Sequence, residues 1–173
     1  MKKVWKILIV VVLILVIAVA GFFAYTSTLS PEEKLSFDDN GLEVNVTYCQ
    51  PKMKGRKIFG ELIPYGKVWR TGANAATIIS FNKAITVAGK AVPAGEYTLW
   101  SIPNEGSWTI ILNKETGQWG TNYNENEDLL RVEVPAEETT SQAEQLTMKL
   151  VSADNGINVN LMWENTKVTI PVR

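Results

Sequence analysis

The sequence predicts an all-β domain, an antiparallel β-sandwich or partly closed barrel, behind one N-terminal transmembrane or signal helix. Three observations carry this reading: an uncharged apolar run near the N-terminus, many short segments of alternating polarity after it, and a turn signal between most of them. The apolar run is Ile7 to Tyr25, ILIVVVLILVIAVAGFFAY. At about 1.5 Å of rise per residue it covers most of a ~30 Å hydrocarbon core. Lys2, Lys3 and Lys6 precede it with no acid among them. A positive flank stays cytoplasmic, so the expected partner of residues 7–25 is the cell membrane, crossed once, with the rest of the chain extracytoplasmic. The competing expectation is a cleaved signal peptide, giving a secreted or periplasmic domain. Ala18-Val19-Ala20 has the small-x-small pattern, although apolarity continues through Gly21 to Ala24.

Residues 1–25 are thus the anchor or signal, and the polar stretch 26–39, with Pro31, Glu32 and Glu33, reads as a linker or a short helix capped at Ser30. The β-rich domain spans 40–173. Leu42, Val44 and Val46 alternate with Glu43, Asn45 and Thr47, as a half-buried strand requires. Short strands are also expected at 67–70, 76–81, 84–87, 97–102, 108–112, 130–134, 146–151, 157–163 and 167–172. Turns separate them at Ala88-Gly89-Lys90, Pro93-Ala94-Gly95, Pro103 to Gly106 and Asp154-Asn155-Gly156. Asn155-Gly156 suits a tight hairpin with positive φ at its centre. The segment 137–145 reads as one helical turn or a polar connection.

Composition excludes several functions. The chain has no histidine, which removes Ser-His-Asp and Cys-His activation and imidazole zinc sites. Its one cysteine, Cys49, has no intrachain disulfide partner and reads as a small packed side chain. The formal net charge of −1 becomes −4 once the three lysines before the apolar run are set aside. A domain of that sign lacks the basic field for general nucleic-acid binding, so no nucleic-acid partner is expected.

Two constellations remain as candidates. Lys52, Lys54, Arg56, Lys57, Lys67 and Arg70 form a local basic cluster opposed only by Glu61. Arg56 and Arg70 offer planar forks for a carboxylate, phosphate or sulfate, and Arg70 should meet Asn74 across the Thr71-to-Asn74 turn. The bland reading is a solvated loop whose charges pair elsewhere. Of six tryptophans, Trp69, Trp100, Trp108 and Trp163 lie in strand-like runs and read as core. Trp119, within Gly117-Gln118-Trp119-Gly120, lacks apolar neighbours and reads as a binding aromatic. The candidate ligand-binding residues are therefore Arg56, Lys57, Arg70, Asn74 and Trp119. No catalytic residue, metal ligand or cofactor is assigned. Asn122 to Asp128 lacks the glycine and terminal glutamate of a calcium loop, and Gly55-Arg56-Lys57 lacks the spacing of a phosphate-binding loop.

The run YCQPKMKGRKIFGELIPYGKVWRTGANAAT from Tyr48, followed by VPAGEYTLWSIP, WTIILNK, GQWG and WENTKVTIPV, closely resembles the bacterial envelope family catalogued as domain of unknown function 2911. The resemblance covers about residues 40–173 and implies a β-rich extracytoplasmic domain without an established activity. It also implies a Glu after Gly-Ala-Asn, where this chain carries Ala75, so it supplies no active site. A binding module for a glycan, an anionic small ligand or an envelope protein is favoured over an enzyme. A carboxylate-dependent hydrolase of envelope carbohydrate or peptide, and a purely structural protein, are the alternatives.

Overall fold

Alternating polarity in the sequence is realised as antiparallel pairing throughout a nine-stranded sheet that bends back on itself. The computed structural model describes residues 2–39 and 41–173. Helix α1 (Lys2–Leu29) is followed by β1 (Glu32–Asp39), β2 (Leu42–Cys49), β3 (Thr77–Phe81), β4 (Ile85–Val87) and β5 (Lys90–Val92). Then come β6 (Gly95–Pro103), β7 (Ser107–Asn113), a 3-10 turn (Glu125–Glu127), β8 (Asp128–Ala153) and β9 (Gly156–Val172). The strand order is β1-β2-β3-β6-β7-β8-β9-β4-β5, which leaves β1 and β5 as edges, so the sheet is sandwich-like and not a closed barrel.

Lys3–Phe23 within α1 has a mean hydropathy of 3.1, is long enough to cross a membrane, and has no buried residue among those described. The stretch expected as a linker or short helix instead continues α1 to Leu29 and then forms β1, paired from Glu32↔Cys49 to Asp39↔Leu42. Its apolar signal is only Leu35 and Phe37, which pack on the core from between the polar neighbours Lys34, Ser36 and Asp38. Lys90–Val92 forms β5, where the sequence had suggested only a turn. The run 67–70 contributes a single bridge, Trp69↔Ser101, in place of a strand.

Four strands expected as short pieces are two long ones. β8 pairs with β7 up to Pro135 and with β9 from Ala136 onward, carrying the chain from one layer to the other. Its register shifts between Glu138 and Thr147, so 137–145 is irregular strand and not a helical turn. The β8–β9 hairpin turns at Asn155, φ 62°, and Gly156, φ 152°.

Between the layers lies one apolar core, including Val44, Val46, Leu99, Ile110, Leu146, Val159, Leu161 and Val168, all at most 1% exposed. Tyr48 reaches across it, its hydroxyl accepting from the Met148 amide at 2.8 Å. The long segment 50–76 closes one end. Phe59 sits edge-on to Trp69, Trp108 and Trp163, with ring centroids 6.1, 4.9 and 6.1 Å away, and Trp69 stacks on Trp163 at 5.9 Å. Each such pair adds about 0.5–1.5 kcal/mol beyond its buried area, so this segment is fixed despite its lack of strands. Glu164 helps: its Oε2 accepts from the Ile58 and Phe59 amides at 3.3 and 3.2 Å.

Candidate functional site

The turn that follows Trp69 is built under local strain. Thr71 and Asn74 both take positive φ, 50° and 59°, although neither is glycine and Thr71 is β-branched. Such backbone costs about 1–3 kcal/mol per residue and persists only where its surroundings over-determine it. They do so here. Thr71 is fully buried, its hydroxyl donates to Ser101 Oγ at 3.0 Å, and its carbonyl accepts from Thr77 Oγ1 at 3.0 Å. Gly72 is needed for space, since a Cβ there would lie 2.9 Å from Thr77 Oγ1 and 3.3 Å from the Cys49 carbonyl.

Arg70 enters this turn half-buried. Its Nη1 donates to the Gly120 carbonyl at 3.1 Å, and its Nε is buried without a partner. No ion pair among the described residues involves Arg70 or any other cation of the 52–70 cluster. Burial lowers the Arg70 pKa, opposed by its interaction with Cys49, while a guanidinium in a protein stays charged. An uncompensated, partly desolvated cation is therefore held in place by the fold. Segment 118–120 lies alongside 74–76, through the bridge Ala75↔Trp119 and the Gly120 amide donating to the Asn74 carbonyl at 3.0 Å. Arg70 and Asn74 thus meet around Gly120, whose lack of a side chain makes room for both.

Two clefts open beside this turn and share Ser30, the first residue after α1. The larger, about 380 Å³, has a floor of Trp69, Trp163, Ile63 and Pro51 and carries Arg56, Lys67 and Arg70. No carboxylate lines it. The smaller, about 270 Å³, is formed by Phe23 and Thr26 of α1 with Glu32, Cys49, Asn74, Ala75 and Trp119. Trp119 is 49% exposed there, whereas Trp69, Trp100, Trp108 and Trp163 are core residues at 8% or less.

The five sequence candidates consequently divide. Arg56 and Arg70 line the larger cleft, and Asn74 and Trp119 the smaller one. Lys57 points elsewhere, into a third cleft of about 380 Å³ with Tyr65, Glu105, Glu137, Glu138 and Glu164. The Arg56 fork is occupied by its own loop, with Nε donating to the Met53 carbonyl and Nη2 to the Lys52 carbonyl, both at 2.8 Å. That leaves exposed Lys67, from the same basic cluster, as the cation of this cleft without a side-chain partner among the described residues. Its position could be read only from Trp69 and Ser101 pairing, a contact distant in sequence.

Cys49, half-buried in the smaller cleft, is held towards its thiol form. Burial raises its pKa, Glu32 adds to that, and the Asn74 side chain, the Ala75 amide and Arg70 offset it incompletely. The thiolate is the reactive form, so a raised pKa leaves an unreactive thiol near neutrality. The 122–128 loop is occupied structurally. Asp128 accepts from Tyr123 at 2.6 Å and Arg131 at 2.7 Å, and Tyr123 packs on buried Trp100 at 4.9 Å.

Comparison with known proteins gives one family. The sequence model described as "Protein of unknown function (DUF2911)" matches residues 30–172, beginning where α1 ends. No curated protein and no solved structure matches the chain.

Proposed function

Because the chain belongs to the DUF2911 family, whose description assigns no activity, we propose its function from the cleft itself: a membrane-anchored, extracytoplasmic domain that binds an anionic ligand carrying an apolar group. The observation that carries this is the union of Arg56, Lys67 and Arg70, without a carboxylate, over a floor of Trp69 and Trp163. In a domain with four more acids than bases after residue 23, such a concentration of positive charge is costly unless an anion offsets it. The indole floor accounts for the apolar part, since ligand clefts pair an apolar surface with a few fixed polar groups. The acidic group of a glycan or of an envelope protein would meet the same charge requirement. A carboxylate-pair hydrolase has no acid in this cleft with which to begin.

Calorimetric titration of the full chain in neutral detergent with hexyl phosphate, against uncharged hexanol, tests the reading. Binding should require the phosphate. A hydrogen bond to a charged group contributes about 1.5–3 kcal/mol, so Arg70→Lys or Lys67→Gln should each weaken binding roughly tenfold or more. Equal binding of both probes, or affinity unchanged by both variants, would remove the anion site.

A further inference from the structure

The family match starts at Ser30, and Ser30 lines both clefts, so the geometry of the anchor bears directly on the ligand's origin. The apolar span ends at Phe23, seven residues earlier. Continued as helix to Leu29, those residues rise roughly 10 Å at about 1.5 Å each. Polar head-group layers extend about 5–7 Å beyond the hydrocarbon on each side. Ser30, and the edge of each cleft that it lines, would then stand no more than roughly 10 Å above the hydrocarbon, near the outer boundary of the head groups, and closer as α1 tilts.

Three of the five exposed apolar side chains outside α1 have the same address. Outside α1, the large hydrophobic residues exposed among the described residues are Leu62, Tyr65, Val68, Trp119 and Val151. Leu62 and Val68 line the basic cleft, and Trp119 lines the adjoining one beside Phe23. Indoles concentrate at membrane interfaces, where an apolar ring and a polar N–H are both satisfied, and cations beside them are drawn to anionic lipid. Glu32, the one carboxylate lining the smaller cleft, is paired with Lys34 at 3.3 Å and so opposes that attraction less.

We propose that the basic cleft takes the phosphate of an anionic membrane lipid from the leaflet on which the domain emerges, with Leu62, Val68 and Trp119 seated among the head groups. The inference rests on the cleft being an anion site and names where its ligand comes from. The lipid's acyl portion remains in the bilayer while its phosphate meets Lys67 and Arg70 at the mouth. Leu62 and Val68, the exposed apolar lining of the same cleft, lie beside the glycerol, between the phosphate and the acyl chains.

The test uses the full chain in nanodiscs of phosphatidylcholine, alone or mixed with phosphatidylglycerol, each containing chain-brominated lipid. The difference in emission between wild type and Trp119→Phe isolates Trp119, cancelling Trp5 and the core indoles. Quenching of that component should increase with phosphatidylglycerol, and the increase should be lost in Lys67→Gln. Lys67 is exposed and has no side-chain hydrogen bond or ion pair among the described residues, so this variant keeps its fold, which near-ultraviolet circular dichroism checks. A parallel hexyl phosphate titration in detergent separates the two levels. If hexyl phosphate binds through Lys67 but quenching ignores phosphatidylglycerol, the lipid source is overturned and a soluble anion takes its place. If neither responds to Lys67→Gln, the anion cleft falls as well.

Discussion

Gly120 is the position at which fold and cleft are most tightly coupled. A Cβ added there would overlap Arg70 Cδ and lie 2.6 Å from the Asn74 carbonyl oxygen. The first neighbour is a flexible side chain that can move away, and in doing so it withdraws the guanidinium from the cleft. The second is backbone in a strained turn, pinned by its bond from the Gly120 amide, and it yields only at a cost. Overpacking of this kind typically destabilises by about 1–3 kcal/mol. Gly120→Ala should therefore lower stability by about that amount and weaken hexyl phosphate binding at the same time. Removing Arg70 Cδ first relieves one of the two collisions. In an Arg70→Ala background the same substitution should cost less, by the 0.5 kcal/mol or more that contacting residues commonly show as coupling. Urea unfolding of the four full-length proteins in neutral detergent, followed by tryptophan emission, measures the cycle. A cost for Gly120→Ala that is negligible, or equal in both backgrounds, would refute the reasoning.

Three further outcomes follow from separate parts of the molecule. Tyr48→Phe leaves the buried Met148 amide without its acceptor and should cost about 1–3 kcal/mol in the same urea assay, with Tyr97→Phe as a comparison at a less buried hydroxyl. Tyr123 has its pKa raised from 10.0 to about 12, first by burial and then by the hydrogen bond to Asp128. A folded pKa above the unfolded one means that its contribution is complete below pH 10 and declines as pH rises towards 12, so thermal stability should fall across that window and fall less in Tyr123→Phe. A reporter enzyme that requires export, fused after Arg173, should be active, whereas activity only from a cytoplasm-dependent reporter would reverse the proposed orientation.

Much of the sheet was legible because its signal is local. Leu42, Val44 and Val46 announce β2 by period-two alternation, and Asn155-Gly156 announces the β8–β9 hairpin. β1 was less legible because two apolar residues among polar ones resemble a linker, and its place is settled by pairing with β2. The lengths of β8 and β9 escaped for the opposite reason. The polar middle of β8, Glu137 to Gln145, and that of β9, Glu164 to Lys167, interrupt the alternation while pairing across the irregularity continues. At the site, Arg70 and Asn74 could be brought together from a four-residue turn. Positive φ fell on Thr71 and Asn74, not on Gly72, because tertiary hydrogen bonds and the close approach of Thr77 decided between them. The separation of Lys57 from Arg56 was not legible at all. Adjacent residues leave the 50–76 segment on different sides, a result of Ile58 and Phe59 turning inward beneath the Glu164 carboxylate.

The proposed anion cleft is tested most directly by observing where an anionic amphiphile touches the protein. Heteronuclear NMR of the full chain in neutral detergent, titrated with hexyl phosphate, should move the Arg70 side-chain resonance and the Trp69 indole N–H, which donates to the Gly72 carbonyl at 3.1 Å beneath the cleft. The response should saturate, weaken with added salt, and be smaller at the Trp100 indole, which is buried in a separate apolar cluster and donates to Thr98 Oγ1. Shifts centred on Lys57 and the glutamates of the third cleft, or a response to hexyl phosphate no larger than that to hexanol, would contradict the account.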